Sequence, residues 1–388
     1  MATPKLKLGN DKWATKQRSL LAFNDEGNNF KSLPFNVERL SGGSYVGRNG
    51  LIQYAATEEP RIDFTNYSKG GLLLEPQRTN GCLYSKTLSS WTVLNGGSIQ
   101  TITDNDEVAP DGTTTASTLE FTSAGSSIIR HFSNTSYTSA KHSCSFWAKK
   151  VSGSGSVFFG LTDTETEFTP TNEWVRYEVN NITPTNFGLN LFLDFNFIGS
   201  TGYKIAVWGM QFEAGTYSTS TIPTAGSTAT RIKDLVTDGG NEYVINNTAG
   251  TLFLDCELAA SGTSSVYSRV MICRDTSTTT RIILDDFGGN WRAVLVSGGT
   301  DAAPTIVASS ANTRIKLAIT YDNTGVKTSY NGTDAVFTSG PFGPTTTMNK
   351  IKFSNAAENG SFFNGWVNDF QYFDEVLTDA ELKTLTTL

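Results

Sequence analysis

From Trp91 to Phe353 the chain is a succession of short runs that alternate apolar and polar residues, or stay apolar for a strand's length, between Gly, Pro, Asn and Asp clusters. A side-chain period of two fits a pleated strand and excludes a surface helix, whose apolar residues recur every 3.6 positions. The first series runs through 98–103, 116–121, 127–132, 142–147, 156–160, 173–179, 188–193 and 203–208. A second opens at 250–258 and continues through 269–273, 280–284, 291–296, 314–321, 326–330 and 350–353. Two such series with no helical interval predict an all-β chain built from two antiparallel sandwiches.

Length and composition agree with this. A chain of 388 residues exceeds what one core organises, so two or three domains are expected, each able to bury its own core. Charged residues make up 17% of the chain, and the 30 Lys and Arg are scattered against a net charge of −7. A duplex-binding surface needs clustered cations that displace counterions, so nucleic-acid binding is not expected. There is no apolar run of membrane-spanning length, and the start Met1-Ala-Thr-Pro-Lys-Leu-Lys lacks the apolar segment of a signal peptide. Neither membrane insertion nor export by its own signal is expected. Cys82, Cys144, Cys256 and Cys273 are too few and too dispersed for a disulfide framework or a zinc site, and read as core thiols.

Residues 1–80 have a different texture. The first 30 show no sustained period and read as an extended arm, and residues 33–80 are short runs between glycines. Val37-Glu-Arg39, Tyr45-Val-Gly-Arg-Asn-Gly-Leu-Ile52, Pro60-Arg-Ile-Asp-Phe64 and Gly71-Leu-Leu-Leu-Glu-Pro-Gln-Arg-Thr-Asn80 occur in that order. They are answered downstream by Trp208-Gly-Met-Gln-Phe-Glu-Ala-Gly215 and Thr221-Ile-Pro-Thr224. This set resembles the leader and closing strand that bracket a sandwich in fibre and head-spike proteins of tailed-phage virions. By that resemblance residues 1–80 form a virion-docking leader. On chemistry alone, Arg61, Glu75 and Arg78 read as ion pairs fixing the leader to a sandwich or to a neighbouring subunit.

Residues 81–232 resemble the jelly-roll of carbohydrate-binding modules, through Ala109-Pro-Asp-Gly-Thr113, Phe146-Trp-Ala-Lys149, Glu173-Trp-Val-Arg-Tyr177 and Trp208-Gly-Met-Gln-Phe-Glu213. Asp104, Asp106 and Asp111 concentrate the hard oxygen donors that calcium prefers, and are candidates for a structural calcium or for a solvated acidic turn. The tryptophans Trp91, Trp147, Trp174 and Trp208 could stack on sugar C–H faces, although a tryptophan inside a strand is usually core. Trp91, near the domain edge, is the one expected to be exposed.

Residues 233–388 resemble concanavalin-A-like, laminin-G-like lectin domains, through the turn Tyr321-Asp-Asn-Thr-Gly325 and the tail Phe363-Asn-Gly-Trp-Val-Asn-Asp-Phe-Gln-Tyr-Phe-Asp-Glu-Val-Leu377. Thr378 and Glu381 have the spacing of a capping box for a terminal helix. Asp285, Asn290, Trp291 and Asn331 are the loop candidates for a glycan contact there. No strand carries the paired carboxylates of a retaining glucanase, and His131 and His142 complete no catalytic triad. No catalytic activity is expected.

The resemblance implies a non-enzymatic virion protein of the fibre, spike or appendage class, on the particle surface. It would be a homotrimer, joined to other virion proteins through its N-terminal region and adhering to host-surface glycans. Two alternatives stand beside it: a purely structural decoration or baseplate-linked protein, and a glycan hydrolase with binding modules.

Overall fold

The computed structural model describes the chain except residues 1, 23–32, 96–99, 137–139, 162–163, 184–189, 261–267, 275–278, 299, 303, 341–346, 356 and 359–360. Among the described residues the chain is almost entirely antiparallel strand, with one short α-helix. It divides into two compact units: one of residues 1–50, 55–76 and 233–388, the other of residues 51–54 and 77–232.

In the first unit an eight-stranded sheet runs Val336–Ser339, Gly325–Tyr330, Arg314–Asp322, Gly250–Leu258, Gly365–Phe373, Gly71–Leu74, Ile62–Asp63, with Leu6–Gly9 also paired to Gly365–Phe373. A six-stranded sheet is built on Ser268–Cys273, Thr280–Phe287 and Asn290–Ser297. The core joins Leu252, Leu254 and Cys256 of the first sheet to Val270, Ile272, Ile282, Leu284 and Trp291 of the second. Period two explains the selection: alternate residues of Gly250–Leu258 enter this core, while Phe253, Asp255 and Glu257 take the opposite face. There Phe253, Ala318 and Phe373 pack against Leu377 and Leu382 of the terminal helix segment. The helix Asp379–Thr386 begins at the expected box, with Thr378 and Glu381 each bonded to the other's backbone N–H.

Residues 1–76 differ from the separate arm and leader expected. Leu6–Gly9 pairs in register with Gly365–Phe373, and Leu33–Glu38 pairs with Leu235–Thr237. Leu6, Leu8, Leu20, Phe35, Leu72 and Leu74 all lie in the unit's main core. The N-terminal strands are short and individually weakly patterned; what places them is pairing with strands almost the whole chain away. Gly9 (φ +94°) fits because a Cβ there would stand 2.3 Å from the Asn368 carbonyl oxygen. The part of the expected arm at 23–32 lies outside the described residues.

The motif residues of this region form a buried ionic network. Arg61 donates to Glu75 (2.6 Å) and to Asp234, and Arg39 donates to Asp234 (2.9 Å) and to the Ala56 carbonyl (2.7 Å). Both arginines are fully buried.

The second unit stacks two five-stranded sheets. One runs Gln100–Val108, Thr114–Phe121, Lys204–Ala214, His142–Ser152, Val175–Ile182; the other runs Thr92–Asn95, Gly125–Ser136, Asn190–Gly199, Gly155–Leu161, Thr166–Phe168. Phe121, Phe146, Phe159, Val157 and Val207 lie in the core between them. Asn80 closes this unit: its amide donates to the carbonyls of Met210 (3.1 Å) and Ile222 (2.8 Å), and its oxygen accepts from the N–H of Cys82 and Phe212. Asn80, the last residue of the first signature, thereby contacts both parts of the second, at Met210, Phe212 and Ile222. All four cysteines are buried free thiols, and burial pushes the Cys82 thiol up to about 12.

Candidate functional site

The structure buries two of the residues expected to meet sugar. Trp91 is 4% exposed, with its ring 5.1 Å from His131 and its N–H on the Tyr84 carbonyl (3.0 Å); Trp291 is 1% exposed, inside the main core of the first unit. Neither offers a face to a ligand: Trp291 is an inward strand position, and Trp91, at the end of the short turn Leu88–Ser90, is tucked against His131 in the second unit's core. Asp285 is also fully buried, held by Arg269 (2.9 Å) and by both Nε and Nη2 of Arg292 (3.1 and 3.0 Å). Asn290 bonds the Gly288 carbonyl within its own turn. Asn331 is exposed, adopts φ +42°, and uses its side-chain oxygen to accept from the Lys316 N–H. The candidates of the first unit therefore do not converge on one surface feature: Asp285 and Trp291 are interior, and the two asparagines shape separate turns.

The three aspartates considered for calcium are each engaged elsewhere. Asp104 accepts from the hydroxyls of Ser89 and Ser117, Asp106 from Thr118 (2.6 Å) and Lys204 (2.9 Å), and Asp111 from Thr113 (2.5 Å) and Lys86 (3.3 Å). The Thr118 hydroxyl, with Lys204, holds the Asp106 carboxyl below the usual range. Among the described residues no three His, Cys, Asp or Glu side chains gather as a metal site.

The surface that does gather suitable groups lies on the outer face of the Lys204–Ala214, His142–Ser152, Val175–Ile182 part of the second unit. Phe146 and Ala148 are buried in the core, so Trp147 between them must face outward. Tyr177 and Val179 pack against the same core, so Arg176 and Glu178 face outward, as does Trp174 just before the strand. Cross-strand register sets Trp147 between Trp208 and Arg176. Trp208 is fully buried, but Trp147 and Trp174 are both half-buried.

Their polar atoms are already satisfied. The Trp174 N–H donates to the Val108 carbonyl (3.0 Å) and the Trp147 N–H reaches the Thr221 hydroxyl (3.4 Å). Lys149 stands 5.4 Å from the Trp174 ring centroid and is paired with Glu107 (3.0 Å). Arg176 is fixed by the Ser145 hydroxyl (2.8 Å), the Thr219 carbonyl and Glu178 (3.1 Å). The result is two partly exposed indoles whose remaining surface is apolar, rimmed by oriented charged groups of both signs. Such a surface can stack on a sugar's C–H face while its rim bonds hydroxyls. Sequence reasoning weighed both tryptophans but expected exposure at Trp91; the parity of each strand relative to its core residues was the signal that separates them.

No protein-family model matches this chain, and no curated protein matches it. Among solved structures, the CBM40 module of a Ruminococcus gnavus sialidase is similar over 37% of this chain and 84% of that one, at 16% identity and a TM-score of 0.32. A leech intramolecular trans-sialidase is similar over 38% of this chain and 24% of that one, at 16% identity and a TM-score of 0.32. The tandem CBM22 domain of Paenibacillus barcinonensis Xyn10C spans 78% of this chain and 98% of its own, at 8% identity and a TM-score of 0.24. These overlaps are slight, and the functional reading rests on the geometry above.

Proposed function

We propose that this chain is a non-enzymatic glycan-binding protein, acting as an adhesin of the fibre, spike or appendage class on a phage particle. The observation that carries the binding reading is the Trp147 and Trp174 surface: two partly exposed indoles with satisfied N–H groups beside Arg176, Lys149 and Glu107. A structural subunit could use the same surface against another subunit, so the glycan test below is what separates the two readings. The virion reading is supported by the ordered motifs of residues 37–80 and by their downstream partners. A virion contact through the N-terminal region would use a folded surface, because residues 6–22 and 33–38 are largely strands of the first unit. Copies assembled as a trimer would raise weak sugar contacts to useful avidity by factors of about 10²–10⁴.

The test is a glycan array and a whole-cell binding assay on purified protein, with mass photometry on the same sample. The expected result is binding to a defined glycan by the wild type, with at least tenfold weakening in a Trp147→Ala/Trp174→Ala double variant and no effect of EDTA. A double variant that binds as well as the wild type would remove this surface from the reading. Silence of the wild type on a wide panel of glycans and hosts, with assembly only onto virion partners, would leave the structural role.

A further inference from the structure

The charges around the Trp147 and Trp174 surface restrict what it can hold. Parity within His142–Ser152 sends Lys149 outward with Trp147, whereas Lys150 pairs with Ile205 of the core and so turns to the other face. Arg176 and Lys204 lie on the same outer face, and Lys86 stands 4.6 Å from the ring centroid of Trp208, the cross-strand partner of Trp147. Each of these four cations meets a carboxylate. Lys149 is paired with Glu107 (3.0 Å), Lys204 with Asp106 (2.9 Å), Arg176 with Glu178 (3.1 Å) and Lys86 with Asp111 (3.3 Å).

Two further carboxylates add to these. Glu120 is exposed and is the cross-strand partner of Lys204, and Glu173 is exposed beside Trp174 in the chain. Among the described residues of this surface, six carboxylates therefore stand against four cations, and the rim is net negative. The hydrogen bond to Asp106, with the charges of Asp106, Glu120 and Glu107, raises the Lys204 ammonium above the usual lysine value. One ammonium thus sits in the field of three acids.

The arginine is no more open to an anion. A guanidinium grips carboxylate, sulfate or phosphate through two parallel N–H bonds. The Arg176 fork is occupied: Nη2 donates to the Ser145 hydroxyl (2.8 Å) and to the Thr219 carbonyl, and Nη1 stands against Glu178. Thr219 is itself fixed, since it donates its N–H (2.8 Å) and its hydroxyl (2.5 Å) to Glu213. What the surface presents beyond these pairs is indole ring carbon, which suits the C–H face of an uncharged sugar.

We propose that the Trp147 and Trp174 surface selects saccharides without acidic groups and rejects their sialylated, sulfated or phosphorylated counterparts. This selectivity rests on the glycan-binding reading of the same surface, whose ligand class it names. An added anion would enter a negative rim and find its natural partner, the Arg176 fork, already engaged, whereas hydroxyls meet neither obstacle. The repulsion acts near solvent and is screened over about 8–10 Å at physiological salt, so the selectivity is salt-dependent.

The experiment is calorimetric titration of the full chain with matched sugars: lactose with sialyllactose and sulfated lactose, and mannotriose with mannotriose phosphate, at about 20 mM and about 500 mM sodium chloride. At least one acid-free sugar should bind. Its acidic counterpart should bind about fivefold or more weakly at low salt, and the gap should narrow at high salt. Glu120→Gln/Glu173→Gln should narrow the gap at low salt, which separates charge from the bulk of the added group. An acidic sugar that binds as tightly as its acid-free partner overturns the selectivity and leaves the glycan reading standing. A gap that neither salt nor the double glutamate variant moves does the same. Absence of binding by any of these sugars, or binding untouched in Trp147→Ala/Trp174→Ala, removes the glycan reading of this surface and the selectivity with it.

Discussion

Two buried titratable groups, one in each unit, give the protein opposite responses to acid. His131 is 4% exposed, accepts from the Leu83 N–H through Nε2 (3.1 Å), and is pushed down to about 4 by burial. The unfolded chain therefore binds a proton that the folded one refuses as pH falls from 6.5 towards 4, and the second unit loses stability over that window, by about 2–3 kcal/mol at most. His131→Gln keeps an acceptor for Leu83 and removes the proton site; its urea midpoint should fall less than that of the wild type between pH 7 and pH 4.5. Asp369 behaves the other way. Burial pushes its carboxyl up to about 6, so its contribution is fully present below about 3.8 and is lost as pH rises through 6. Asp369→Asn should gain in melting temperature over the wild type at pH 8 and lose that advantage at pH 4; an unchanged difference across the range would show that Asp369 is not the titrating group. Neither environment was legible in the sequence. His131 and Asp369 sit in runs that predict strand correctly, but what surrounds a buried atom depends on residues 48 and more than 100 positions away, the donor Leu83 and the like-charged Asp255 among them.

At the scale of elements, the short strands near the N-terminus are fixed by long-range partners rather than by their own propensity. Asp234 is the hinge of that arrangement, accepting from Arg39, Arg61 and the Glu75 N–H (3.0 Å) just before Leu235–Thr237 pairs with Leu33–Glu38. Asp234→Ala would leave two fully buried guanidinium groups short of a counter-charge, and a destabilisation of about 3–5 kcal/mol is expected in denaturant melts. A loss under 1 kcal/mol would mean that the network relaxes to water. Arg61, Glu75 and Arg78 were marked by the sequence as ion-pairing residues; Arg61 and Glu75 do pair, whereas Arg78 donates to the Gln77 carbonyl (3.1 Å) and lies 5.4 Å from the Tyr217 ring centroid. Asp234 was not so marked, since nothing local distinguishes it from a solvated turn acid. The same contrast holds for the tryptophans. Parity within 142–152 and 174–182 places Trp147 and Trp174 outward, whereas the burial of Trp91 depends on His131 and Tyr84 closing over it.

At the scale of the whole molecule, the chain makes its first unit from both ends and its second from the middle. A fragment of residues 77–232 should fold alone, with strand-type circular dichroism and a cooperative melt. A fragment of residues 233–388 should not, because it lacks Leu6–Gly9, Ile62–Asp63 and Gly71–Leu74 from its larger sheet and Leu20 and Phe35 from its core. Cooperative unfolding of the second fragment would show that the N-terminal strands are accessory. The sequence by itself determined the all-β class, the two sandwiches, the core thiols and the capped terminal helix, because period-two patterning, isolated cysteines and a capping box are local properties of the chain. Only the tertiary structure decided that residues 1–50 and 55–76 group with 233–388, that Trp91 is closed over, and that Asp255, Glu257 and Asp369 meet on one sheet face. Those outcomes follow from pairings across up to 366 positions, as between Leu6 and Tyr372, and no local pattern encodes the partner of a strand.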